Sequence, residues 1–86
     1  MPEISRFFGM VIFMYYNEHA PPHFHVRYEG RDVMISIADL SLIKGSLSPR
    51  ALSLVKEWAN AHRSELLEDW QRGRDEIPFK PIAPLE

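Results

Sequence analysis

The 86-residue chain contains no cysteine. That excludes a disulfide framework, a thiolate zinc site and a cysteine nucleophile, and it leaves stability to packing alone. The chain also lacks an apolar run long enough to span a bilayer. The longest, residues 7–16, falls well short of the roughly 20 residues a membrane helix needs and includes a glycine and two tyrosines. It carries no small-residue cleavage site of a secretory signal, so it reads as a buried strand in a cytoplasmic, non-membrane protein. An excess of positive charge is missing too: the net charge is −2, so no global field draws the protein to nucleic acid, and any phosphate contact needs a local patch such as Arg6, Arg27 and Arg31. Repeats and low-complexity segments are absent. What remains, 45% hydrophobic and 26% charged residues, is the mixture of one small globular domain.

Along the chain, residues 7–16 are apolar on both alternating sets, the pattern of a strand covered on both sides. His23 to Tyr28 alternates, with Phe24, Val26 and Tyr28 on one side and His23, His25 and Arg27 on the other. Glu29-Gly30 is a hairpin signal leading into a strand over residues 31–37, and a short fourth strand is expected over residues 41–43. Ser48-Pro49 is a capped helix start. Leu52, Val55, Trp58, Ala59, His62, Leu66 and Trp70 then form one apolar stripe up to a stop at Gly73. The expected fold is α+β with two layers: a three- to four-stranded antiparallel sheet covered on one face by a single long C-terminal helix. Residues 1–76 form the domain, and the proline-rich residues 77–86 an extended tail.

The parity of the second strand places the helix over Phe24, Val26, Val33, Ile35 and Ile37, and turns His23, His25 and Arg27 to the opposite face. Residues 19–25 hold three of the four histidines around Pro21-Pro22, the one dense constellation in the chain. Three readings compete for it. Two imidazoles two residues apart on a strand, with His19 from the preceding loop, can ligate a divalent transition metal such as zinc, with water, Glu18 or Glu29 in the fourth position. Alternatively the His19, His23 and His25 cluster can carry acid–base catalysis of a ribonuclease type, His23 and His25 moving the proton and Arg27 stabilising charge, with aromatic side chains stacking on unpaired RNA bases. In the plainest reading the histidines are ordinary polar residues on an exposed strand face. His62, within the apolar stripe, reads as a core histidine. Phe7, Val11, Phe13 and Tyr15, if not under the helix, form an apolar patch that a partner would cover: a second copy in a homodimer or a small cognate protein.

Pro2, Ile4 to Gly9, Met14-Tyr15-Tyr16, the run His19-Ala20-Pro21-Pro22-His23-Phe24-His25, and then Val55, Trp58, His62, Glu65-Leu66 and Trp70 together resemble the small bacterial proteins grouped as the domain-of-unknown-function 4160 family. The resemblance covers nearly the whole chain. It implies a place in a compact gene pair and a toxin–antitoxin-like module. It carries importance over to His19, Pro21, Pro22, His23, Phe24 and His25, with His62 on the helix. The resulting expectation is a protein-association module with a histidine-lined surface for metal or RNA.

Overall fold

The computed structural model describes residues 2–86. Five strands, β1 (Glu3–Phe7), β2 (Met10–Phe13), β3 (His23–Tyr28), β4 (Arg31–Ser36) and β5 (Leu42–Lys44), form one antiparallel sheet in the order β1-β2-β3-β4-β5. Two helices follow, α1 (Pro49–Ala61) and α2 (Arg63–Arg74). The α+β class and the antiparallel sheet match the sequence reading; the strand count and the single helix do not. No helix is long and apolar enough to cross a membrane.

The extra strand arises because residues 7–16 are not one strand. Phe8 and Gly9 both take positive φ, 48° and 78°, the backbone of a two-residue hairpin turn, so Phe7 pairs directly with Met10. Glu29 and Gly30, at 50° and 75°, make the same turn between Tyr28 and Arg31. The consequence of the first turn is a change of face. Phe7 joins Met10, Ile12 and Met14 in the main core, its ring 5.2 Å from that of Trp58.

The helix divides at His62, whose φ of −123° and ψ of 26° leave the helical region. A continuous rod from Pro49 to Arg74 would run about 39 Å at 1.5 Å per residue, beyond the 33 Å longest extent of the molecule. Bending keeps both apolar stripes against the sheet. The His62 amide still bonds to the carbonyls of Trp58 and Ala59, and Leu66 bonds back to His62, so the bend interrupts few backbone hydrogen bonds. Ser48 caps α1 as expected, its hydroxyl accepting from the Ala51 amide at 3.2 Å.

The core contains Phe24, Val26, Val33, Ile35 and Ile37 from the sheet, and Val55, Trp58, Ala59, Leu66 and Trp70 from the helices. Residues 77–86 have neither helix nor strand, yet they are tied to it. Ile82 is buried and its amide bonds to the Ile4 carbonyl at 2.8 Å, along the outer side of β1. The Trp58 indole donates to the Ala83 carbonyl at 2.8 Å, and the Lys80 amide to Asp69 Oδ1 at 2.8 Å.

Asp69 is 1% exposed, and its other oxygen has no hydrogen-bond partner. Burial pushes its carboxyl above the usual range, against the pull of the Lys80 amide; neighbouring Glu68 adds to the rise. A raised acid favours the folded state below its unfolded value, and that contribution is lost as pH climbs through the folded value. Asp69→Asn, which keeps an acceptor for Lys80 without a charge to bury, should therefore match or exceed the native protein in thermal stability at pH 7. Asp69→Ala should lose about 1–2 kcal/mol with the clasp. Melts of both variants from pH 5 to 8 check this, and an Asn variant as unstable as the Ala variant would contradict it.

Candidate metal centre

His23 and His25 stand two apart on β3 and so share a face, the one away from Phe24 and Val26. The pairing of His25 with Phe13 on β2 and Met34 on β4 puts those three side chains in one row. This side of the sheet is not bare, however. His23 is 3% and His25 8% exposed, against the plain reading of exposed strand residues. The chain between β2 and β3 folds back over them, held by a bond from the Asn17 amide to the Gly73 carbonyl at 3.2 Å and by stacking of Tyr16 on Phe79 at 4.6 Å. Trp70 of α2 closes on the His23 ring at 5.1 Å. Phe13 lies nearly parallel to the His25 ring at 5.0 Å, and Tyr15 meets it edge-on at 5.1 Å.

The return of the chain carries Glu18 to both imidazoles. His25 Nε2 lies 2.8 and 2.9 Å from the two carboxylate oxygens, and His23 Nε2 lies 3.1 Å from Oε2. The remaining nitrogen of His23, Nδ1, sits 2.7 Å from the Pro21 carbonyl. A carbonyl only accepts, so Nδ1 bears a proton. Nε2 then faces a carboxylate with a lone pair, an unfavourable contact, unless a second proton or a metal ion lies between them. Burial pushes the Glu18 carboxyl up, and the hydrogen bonds from His25 and His23 with their charge outweigh it, leaving the group below the usual carboxylate range.

Glu18, His23 and His25 are the one group of three His, Asp or Glu residues among the described residues whose ligand atoms lie within 4.8 Å of one another. Two nitrogen or oxygen ligands each about 2.1 Å from a zinc ion at the tetrahedral angle are about 3.4 Å apart. The observed spacings of Glu18 from the two nitrogens, 2.8 to 3.1 Å, need to open by only a few tenths of an ångström. The bond from a ligand's second ring nitrogen to a backbone carbonyl, as His23 makes to Pro21, is how metal-binding histidines are commonly oriented.

The sequence-predicted residues divide. His23 and His25 come together. His19 is exposed and takes no part in the cluster; Glu18, named from sequence only as an optional further ligand beside Glu29, takes that place. Glu29 is spent in the turn after β3. Arg27 is exposed and held bidentate by Asp32, Nε to Oδ1 at 2.8 Å and the terminal nitrogen to Oδ2 at 2.9 Å. His62 is remote from the cluster, its Nδ1 on the Glu65 side chain and its ring beside Trp58. Of the apolar patch, Phe7 is in the core, Phe13 is 1% exposed beneath Tyr15 and His25, Val11 is half-buried, and Tyr15 remains exposed.

The chain is thus a small α+β protein with one compact cluster of two histidines and a carboxylate. The model of the family described as Domain of unknown function (DUF4160) matches residues 9–71, most of the chain, and the protein belongs to that family. No curated protein and no solved structure matches it.

Glu18, lowered in the folded state, contributes stability above its unfolded value, and that contribution is lost as pH falls through the folded value. The stability gap between the native protein and Glu18→Gln should be about 1–2 kcal/mol near neutrality. It should stay level down to the ordinary glutamate value of 4.5 and close below it. Denaturant titrations of both proteins from pH 7 to 3 measure the gap, and a gap that widens in acid would count against this account of the site.

Proposed function

We propose that this protein is a small metal-binding module in which Glu18, His23 and His25 hold a divalent transition ion, zinc being the ion that such a donor set suits. The convergence of three ligand atoms, with His23 fixed by the Pro21 carbonyl so that its Nε2 faces the carboxylate, carries this reading. The ion would take three protein ligands and keep an open position. It would also pin the chain after β2 to β3. Acid–base ribonuclease chemistry is less well supported. Arg27, its anion-stabilising group, is already neutralised by Asp32, and His19 is outside the cluster.

The wider role we propose is that of an association module in the cytoplasm, one component of a toxin–antitoxin-like pair that joins a second copy or a small cognate protein. The family resemblance and the exposed rings of Tyr15 and Tyr16 support it, with Tyr15 and Val11 at the contact.

Untagged protein should bind one equivalent of zinc by elemental analysis after dialysis. The His23→Ala, His25→Ala double variant should bind none while keeping its circular dichroism. Cobalt or copper should quench the fluorescence of Trp70, which touches His23, more than that of Trp58; selective Trp→Phe replacement separates the two. Equal, negligible metal in native and double-variant protein would remove the metal reading. Sedimentation of the native protein at high concentration should show self-association that Tyr15→Ser weakens; a monomer with no affinity for a neighbouring gene product would remove the association reading.

A further inference from the structure

Beside the histidine cluster, on the face of the sheet away from the helices, lies a half-open cleft of about 200 Å³ lined by Phe13, Tyr15, His25, Asp32, Met34 and Lys44. Strand register explains its shape: Phe13, His25, Met34 and Lys44 are directly opposite one another across β2, β3, β4 and β5, forming a single row across four strands. At about 4.8 Å per strand, the row from His25 to Lys44 is about 10 Å long.

Tyr15 and Met34 supply the accessible apolar wall, Phe13 being almost wholly buried beneath Tyr15 and His25, and polar groups line the rest. Asp32, the one acid, has both oxygens on Arg27. Lys44 is exposed and makes no ion pair among the described residues, so the free charge of the cleft is positive. His25 adds a second donor. With Nε2 turned to Glu18 and taken by a metal ion, its proton sits on Nδ1, which makes no hydrogen bond among the described residues. One carboxylate ligand also leaves a divalent ion with a net positive charge beside the cleft.

We propose that this cleft binds a small flat organic anion, an aromatic carboxylate, with its ring against Tyr15 and Met34 and its carboxylate between Lys44 and His25 Nδ1. The volume favours a single-ring acid, being below the roughly 300–1,000 Å³ of sites that enclose a drug-sized ligand. The state of His25 rests on the metal reading; Tyr15, Met34 and Lys44 do not.

Benzoate titrated calorimetrically into the zinc-loaded full chain, with cyclohexanecarboxylate as the non-planar comparison, tests the proposal. Benzoate should bind one to one and more tightly than the comparison acid, and its ring current should move the Met34 methyl resonance. Lys44→Ala, a change at an exposed position, should weaken binding at least about threefold, as expected for loss of one partly exposed ion pair. Zinc bound without benzoate binding, or benzoate bound as tightly by the Lys44→Ala protein, overturns this inference and leaves the metal centre standing. If zinc is not taken up, the metal reading fails by itself. The cleft is then decided in metal-free protein, where Lys44-dependent benzoate binding upholds it and its absence overturns it.

Discussion

Phe24 and Val26 cannot go under the helices without sending His23 and His25 through to the other side of the sheet, because neighbouring side chains on a strand point to opposite faces. Everything distinctive about this molecule depends on that alternation. The apolar pair anchors β3 beneath Trp58, the Phe24 and Trp58 rings meeting at 6.0 Å, and the imidazoles are thereby held two residues apart on a rigid central strand. A strand flanked on both sides by paired neighbours tolerates little slippage, and a shift of one residue would bury both imidazoles under the helices and bring Phe24 and Val26 to the opposite face. The core therefore fixes where the polar cluster can be.

The second constraint is that polar groups taken out of water need partners. His23 and His25 are nearly enclosed, and the segment after β2 supplies what they lack: the Pro21 carbonyl for one nitrogen and the Glu18 carboxylate for two more. That segment is in turn held at Gly73 and Phe79, so the cluster is bound to α2 and the tail as well as to the sheet. Trp70 touches the cluster on one side and the core on the other.

Much of this was legible in the sequence. Strand alternation located the histidine face, and Glu29-Gly30 announced its hairpin because polar residues flank it. Phe8-Gly9 makes the same turn but lies in an unbroken apolar run, so periodicity merged two strands into one and put Phe7 on the wrong side. Of the expected helix stripe, Val55, Trp58, Ala59, Leu66 and Trp70 are buried, while Leu52 and His62 are half-buried and His62 marks the break. The length of the stripe was the misleading feature, since spacing along a helix says nothing of the size of the sheet beneath. Glu18 was hard to single out for a different reason. No periodic pattern places a loop carboxylate, and only the fold-back of residues 14–22 brings it to residues five and seven positions later. His19, denser in apparent promise, points to solvent.

The bond between Ile82 and Ile4 has a further effect. An open sheet has two borders at which foreign strands can add, and stacking at both is what lets a chain polymerise without limit. Here the tail takes up one carbonyl of the border at β1, that of Ile4, while the other border is the three-residue β5. A strand added at β1 would first have to displace the tail from Ile4, so that border is guarded by a segment that is itself no strand.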